Sequence, residues 1–495
     1  MSTTLTPDLT TSASIVDGLD IPVRLLIGGQ WVEGSKAGTI SVTNPADETV
    51  LAEIADATPA EGTAAVDAAA AALPGWAATP PRDRAEILRR CFELMTQRSE
   101  QISQLISLEN GKALPDARGE VAYAAEFFRW YSEEAVRLLG EVSTSPSGAN
   151  RIVVQRQPIG VAALITPWNF PAAMATRKLA PALAAGCTAI LKPATLTPLT
   201  ALAIAGLMTE AGVPAGVINV VTSLRTGPVM DAVLSDPRVR KLSFTGSTEV
   251  GRHLIRRAAD QVLSCSMELG GNAPFLVLPD ADLDAAVEGA MVAKMRNGGQ
   301  ACTAANRIYV HRDVHDEFAS RLAARMGEMR VGAGGDPGVE VGPLVDIASV
   351  DKVDELVTDA VARGATVLVG GARGDGPGFY YPPTVVTGVR EDARMVTEEI
   401  FGPVASLIPF DDEDEAIAAA NSTEYGLAAY VFTEDLRRAM RIAERIDSGM
   451  VAINRGLVSD PAAPFGGVKQ SGLGREGAHE GMLEFTETKY IAVDW

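Results

Sequence analysis

Residues 160–195 read GVAALITPWNFPAAMATRKLAPALAAGCTAILKPAT, and this stretch decides the fold. Val161 to Ile165 is a short, wholly apolar run, the pattern of a strand covered on both faces. Ala173 to Ala185 has the length and composition of a helix, and Cys187 to Leu191 is a second apolar run. The alternation continues with a helix at Pro198 to Ala211, a strand at Val217 to Val221 and a helix at Met230 to Leu234. A strand at Val239 to Phe244 then leads into a helix that Ser247 caps. Short buried strands alternating with helices predict a parallel sheet with helices on both faces. Ligands of such sheets sit beyond the carboxyl ends of the strands. Those ends carry Thr166-Pro167-Trp168-Asn169, Lys192-Pro193-Ala194-Thr195 and Thr245-Gly246-Ser247.

A second alternating block runs from about Pro274 to Pro464. Upstream, apolar residues recur at helical spacing over Ala64 to Trp76, Arg82 to Glu109 and Asp116 to Leu139. Ser147-Gly148-Ala149-Asn150 is a turn signal, and Arg151 to Arg156 reads as a strand. That hairpin (Ser145 to Pro158) and a terminal strand over Lys489 to Trp495 leave the main body. The first 19 residues are rich in Ser and Thr and read as a loose arm. Asp411 to Glu415 reads as the acidic first turn of a solvated helix.

The chain has 495 residues, a prior of three units at about 150 residues each. Its formal net charge is −20, with 43 basic and 63 acidic residues. That balance argues against nucleic-acid and anionic-membrane partners. No basic residue precedes Arg24, and no apolar run reaches membrane-helix length, so a cytoplasmic protein is expected. Cys91, Cys187, Cys265 and Cys302 are too scattered for a disulfide framework. His311 and His315 are four apart but lack further ligands, so no metal site is expected.

Three features can carry chemistry. No G-x-G-x-x-G follows a strand and there is no P-loop, so a dinucleotide reading rests on the strand ends: Lys192 as a cation, Gly246-Ser247 at a helix start, and Trp168-Asn169. Glu268, in Glu268-Leu269-Gly270-Gly271, falls at the junction of the two blocks, where a cleft would form. A solvated surface charge is the bland alternative. Cys302, in Gly298-Gly299-Gln300-Ala301-Cys302-Thr303, suggests a thiol on a loop near a helix start, where its pKa would fall. From spacing alone a buried inert cysteine is the favoured reading. Cys91 and Cys187 fit the inert reading better.

The segments T-P-W-N-F-P at 166–171, L-K-P-A at 191–194, F-T-G-S at 244–247, E-L-G-G at 268–271, G-Q-A-C at 299–302, E-E-I-F-G-P at 398–403 and P-F-G-G at 464–467 resemble the aldehyde dehydrogenase superfamily in order and spacing. The resemblance covers nearly the whole chain from about residue 25. K-L-S-F-T-G-S-T-E-V-G-R and P-F-G-G-V-K-Q-S-G-L-G-R-E-G are similar to its succinate-semialdehyde dehydrogenase branch.

The resemblance implies an α/β fold with a Rossmann-type cofactor domain (20–139 and 159–270), an α/β catalytic domain (271–465) and a β-hairpin oligomerisation element (140–158 and 484–495). It assigns Cys302 as nucleophile, Glu268 as general base and Asn169 as the oxyanion amide. The cofactor, NADP or NAD, would meet Ile165, Thr166, Pro167, Trp168, Lys192, Ala194, Thr195, Gly227, Phe244, Gly246, Ser247, Leu269, Glu399 and Phe401. Arg177, Arg296 and Ser459 match the residues that grip a distal carboxylate, for which Arg forks are suited. Ion pairing of both arginines with structural acids is the alternative. Ala304 stands where some relatives carry a second, regulatory Cys. Ser223 stands where the branch often has Gly, which weakens Gly227 as a contact. Thr195 stands where NAD-preferring relatives carry Glu, which implies that NADP is preferred and NAD usable. The implied reaction is oxidation of succinate semialdehyde to succinate in a homodimer or homotetramer. Glutarate semialdehyde is the nearest rival substrate. An acylating enzyme that uses coenzyme A and a non-catalytic dinucleotide-binding protein are the other rivals, and the pairing of Cys302 with Glu268 weighs against both.

Overall fold

A computed structural model describes residues 12–36, 38–374 and 376–494. Its first large sheet has the parallel core that the alternation predicts. Val161–Ile165 is central, with Thr188–Lys192 and Ile218–Val220 on one side and Val239–Thr245 and Ser264–Glu268 on the other. Ser264–Glu268 is a fifth parallel strand that the sequence does not announce, because Ser264, Ser266 and Glu268 interrupt its apolar pattern. Two short strands, Leu25–Ile27 and Gln30–Val32, extend one edge antiparallel, and Gly472–Leu473 closes the other. Strand order reverses direction at Val161–Ile165, so the crevice beyond its carboxyl end is the expected ligand position.

The second sheet runs Thr366–Val369, Thr384–Thr387, Val404–Phe410, Ala305–His311, Ala273–Val277, Ala428–Phe432 and Met450–Ile453. All its neighbours pair in parallel except the first two. Its interior includes Phe275 stacked on Phe432 at 4.8 Å. A third sheet carries Glu141–Thr144, Arg151–Pro158 and Thr486–Val493. The last two pair antiparallel over their full length, from Thr486 with Pro158 to Val493 with Arg151. The terminal strand therefore begins earlier than expected; Trp495 lies outside the described residues.

Other boundaries also move. The helix expected over Arg82 to Glu109 is two, Pro81–Gln97 and Ser99–Asn110. The break is Arg98, whose guanidinium makes two 2.8 Å bonds to Glu210 on another helix. The arm expected over residues 1–19 is, in its described part, a hairpin of Ser12–Val16 with Leu19–Pro22. Val16, Leu19 and Ile21 bury themselves in the main core, which the polar composition around them disguised. His311 caps the helix Arg312–Gly327, and His315 bonds Thr387 at 3.2 Å. Asp412 caps Glu413–Asn421, whose first turn is acidic as expected. Among the described residues no helix is long and apolar enough to cross a membrane.

Candidate active site

The helix Leu283–Met295 ends in a tight turn over Arg296–Gly299. Asn297, Gly298 and Gly299 all have positive φ, at 52°, 59° and 77°. Asn297 is the costly member, since a side chain in this region is strained. Three hydrogen bonds hold it: its N–H donates to Asp116 at 2.7 Å, and its amide donates to the carbonyls of Asn169 at 2.9 Å and Gln300 at 3.3 Å. Cys302 follows on this anchored loop, which runs into the strand Ala305–His311. No helix starts there, which corrects the expected source of thiol activation. Burial instead pushes the Cys302 thiol up to about 12, with Arg177 and Arg296 opposing it. The second glycine of E-L-G-G has a steric role, because a Cβ at Gly271 would lie 2.3 Å from the Cys302 carbonyl oxygen. Cys302 is half-buried, whereas Cys91 and Cys187 are buried.

Asn169 stands beside Cys302 in one cavity wall. Its side-chain amide spends one N–H on the Gln300 carbonyl at 3.0 Å. An amide has two such donors, so the second is available to an oxyanion.

Glu268 ends its strand, buried, with Oε2 lacking any hydrogen-bond partner. A Cβ at Gly466, in P-F-G-G, would come within 2.9 Å of its other oxygen. Burial first, then the neighbouring Glu476, raises its pKa well above the usual carboxylate range. Glu476 behaves oppositely. Burial would raise it too, but Arg177 and Lys178 outweigh burial and hold it low. Lys178 bonds one oxygen and Arg177 Nε lies 2.5 Å from the other. Sequence reading gave Glu476 no role. The signal was present: Arg177-Lys178 are adjacent cations in Pro171–Ala185, a helix buried at every position. Two buried cations require an acid from elsewhere in the chain.

Pro167, Trp168, Asn169, Gly246, Ser247, Leu269, Cys302, Glu399 and Phe401 line one cavity at the switch point of the first sheet. Trp168 and Phe401 meet edge to face at 5.4 Å across it. Ser247 caps Thr248–Ala259, leaving that helix N-terminus beside the cavity. Glu399 accepts from the Gly271 N–H at 3.3 Å, and burial raises it to about 7. Ser349 and Lys352, which no motif singled out, line the same cavity from Ile347–Ala362. Lys192 ends the strand Thr188–Lys192 and Thr195 follows it; neither they nor Ile165, Thr166, Ala194, Phe244 and Gly227 are in this lining. Lys192 Nζ lies 3.5 Å from Thr195 Oγ1, which donates to the Ser223 carbonyl at 3.1 Å. Burial pushes Lys192 down to about 8, and no carboxylate pairs with it among the described residues. An anionic nucleotide group there would stabilise the charged form against burial, so these residues fit a dinucleotide.

Arg296 and Ser459 line a second cavity with Tyr123, Asp116 and Met295. The Arg296 guanidinium lies 4.7 Å from the Phe170 ring and 5.8 Å from that of Tyr123. Phe170 lines the first cavity, so its ring links that cavity to Arg296 in the second. Arg177 lines neither cavity. Its guanidinium lies over the Phe465 ring at 4.2 Å, pairs with Glu476, and is the foremost charge opposing the rise of the Cys302 thiol.

Residues 31–491 match the model of the aldehyde dehydrogenase family. The chain belongs to that family. A succinate-semialdehyde dehydrogenase of Paenarthrobacter nicotinovorans is 56% identical over 444 residues, 90% of this chain and 99% of the relative. A glutarate-semialdehyde dehydrogenase of Pseudomonas aeruginosa is 48% identical over 467 residues, 94% of this chain and 96% of the relative. The crystal structure of succinate-semialdehyde dehydrogenase from Burkholderia pseudomallei superposes with a TM-score of 0.94 at 48% identity, covering 96% and 98% of the two chains. The aldehyde dehydrogenase fold expected from the motifs is thereby borne out.

Proposed function

We propose that this chain oxidises succinate semialdehyde to succinate, with NADP preferred and NAD usable. One observation carries the substrate reading. Arg296 is a cation in the cavity behind Phe170, held against two rings with no carboxylate bonded to it among the described residues. A carboxylate on the aldehyde completes it, with Ser459 as a further donor. Arg177 adds positive potential but shares its guanidinium with Glu476. The relative from Paenarthrobacter supports the same substrate.

The Cys302 sulfur adds to the aldehyde carbon. At a thiol pKa of about 12 the thiolate does not stand free at neutral pH, so its proton leaves as the bond forms. Glu268, a stronger base than an ordinary carboxylate, is the group to take it. The free amide N–H of Asn169 and the backbone N–H of Cys302 hold the developing oxyanion, about 3 kcal/mol per donor. Bound NAD(P) supplies the hydride-accepting chemistry. Pro167, Trp168, Gly246, Ser247, Leu269, Glu399 and Phe401 form its cavity; Lys192 and Thr195 would meet its adenine ribose, and Ile165, Thr166, Ala194, Phe244 and Gly227 are its remaining proposed contacts. The thioester on Cys302 is then hydrolysed as Glu268 draws a proton from water.

Glutarate semialdehyde is the second reading, because relatives of that name from two Pseudomonas species are 48% and 49% identical. We propose a homodimer or homotetramer, because Glu141–Thr144 is an exposed edge strand carrying Val142 at 69% exposure. Comparison of kcat/KM for succinate semialdehyde, glutarate semialdehyde and an uncharged aldehyde, each with NADP and NAD, tests the reading. The highest value is expected for succinate semialdehyde with NADP. A preference for the uncharged aldehyde overturns it.

A further inference from the structure

We propose that the buried pair Lys112–Glu120 is the positioning element of the oxyanion site, fixing the backbone of Asn169 against the Cys302 loop. Lys112 Nζ donates to Glu120 Oε2 at 2.6 Å and to the Asn169 carbonyl at 2.7 Å. It also lies 4.0 Å from the centre of the Phe170 ring. The side chains of both pair members are fully buried. The second oxygen of Glu120 accepts from the N–H groups of Ala172 at 2.8 Å and Ala173 at 3.2 Å. These are the first free donors of the helix Pro171–Ala185, since Pro171 has none.

The chain from Asn169 to Ala173 is therefore clamped at both ends by one ion pair. The catalytic loop is tied to the same clamp. Asn297 gives the Asn169 carbonyl its second donor, and its own N–H reaches Asp116. Asp116 stands one helical turn before Glu120 on Leu114–Glu134. A single helix thus anchors both halves of the oxyanion site, the amide through Glu120 and Lys112 and the thiol loop through Asp116.

The attraction within a buried ion pair is by itself weak evidence for stability; here the pair also satisfies the buried Ala172 and Ala173 N–H groups and the Asn169 carbonyl. What the charges add is direction. Lys112 has three donors and uses two, and Glu120 offers one oxygen to the lysine and one to the helix. That arrangement fixes where the remaining N–H of the Asn169 side chain points. Misplacing a reacting group by about 1 Å can cost on the order of a hundredfold in rate.

The inference rests on the reading of Asn169 as oxyanion donor, and its test separates the two. Lys112→Met alone strands Glu120 as a buried charge and is a weak probe of folded enzyme. Lys112→Met/Glu120→Gln removes both charges and leaves an oxygen for Ala172 and Ala173. Both are compared with Asn169→Ala and with all three substitutions combined, measuring kcat, aldehyde KM, and NADP affinity by fluorescence titration. The uncharged pair is expected to lower kcat about ten- to a hundredfold, with aldehyde KM and NADP affinity held within about threefold. Asn169→Ala is expected to lower kcat by about a hundredfold or more. The combined variant should fall no further than Asn169→Ala alone. An unchanged kcat in the uncharged pair, a multiplied loss in the combined variant, or a joint collapse of KM, NADP affinity and folding overturns the positioning role while the oxyanion reading stands. Full kcat in Asn169→Ala overturns the oxyanion reading itself, and the positioning role with it.

Discussion

Replacing Arg296 by Ala should cost this enzyme its preference for a carboxylated aldehyde, with a smaller loss common to all aldehydes because Arg296 also opposes the rise of the Cys302 thiol. The guanidinium is packed over Phe170 and Tyr123, and no carboxylate bonds to it among the described residues. Its removal breaks no bonded ion pair, and Lys112 still opposes the burial of Asp116, the carboxyl in the same cavity. The loss is that of a charged hydrogen bond to substrate, about 1.5–3 kcal/mol, which is roughly ten- to a hundredfold in kcat/KM for succinate semialdehyde. An uncharged aldehyde makes no such bond and should lose less than about threefold. Arg296→Lys keeps the charge without the planar fork and should fall between. Arg177→Ala is a poorer probe. It leaves Glu476 buried with one cation fewer, and breaking a buried pair costs about 3–5 kcal/mol of stability before any substrate is considered. Steady-state kinetics of Arg296→Ala on both aldehydes decides the matter. Equal losses on charged and uncharged substrates would refute carboxylate recognition by this residue.

Three further outcomes are expected. Glu268 works deprotonated and its pKa is raised, so thioester hydrolysis should rise as pH climbs through that raised value. Glu476→Gln removes a neighbouring negative charge and should move the rise to lower pH; an upward shift in the pH–rate profile contradicts the coupling. Thr195→Glu places a carboxylate near Lys192, whose Nζ is 3.5 Å from Thr195 Oγ1, and beside the expected 2′-phosphate. At about 4 Å and an effective dielectric of 20 the repulsion is about 4 kcal/mol before relaxation and salt, so the ratio of kcat/KM values should swing toward NAD; an unchanged ratio refutes the assignment. Light scattering at micromolar concentration should report a dimer or tetramer, and a monomer would contradict the role given to the exposed edge Glu141–Thr144.

The parallel core was legible because its strands are apolar on both faces and its helices are of ordinary length. Ser264–Glu268 was not, because a strand at the site carries polar residues for chemistry rather than packing. The N-terminal hairpin was missed for a related reason: Val16, Leu19 and Ile21, its three buried core residues, sit within a polar background. Cys302, Glu268 and Asn169 were legible through motifs whose glycines have a visible steric purpose, as at Gly271 against the Cys302 carbonyl. Glu476 and the Lys112–Glu120 pair were illegible as partners. Glu476 stands almost 300 positions from Arg177, and one-dimensional patterns carry no information on which buried charges meet. The cations themselves were the available clue, each standing in a segment with no exposed face to receive it.

The account turns on a covalent adduct at one sulfur. Wild-type enzyme, mixed with succinate semialdehyde and NADP and quenched in acid within the first turnover, should carry a succinyl thioester on the peptide containing Cys302 when digested and analysed by mass spectrometry. The adduct should be missing without NADP and missing in Cys302→Ala. Sustained turnover by Cys302→Ala, or an acyl group found on another residue, would contradict the mechanism.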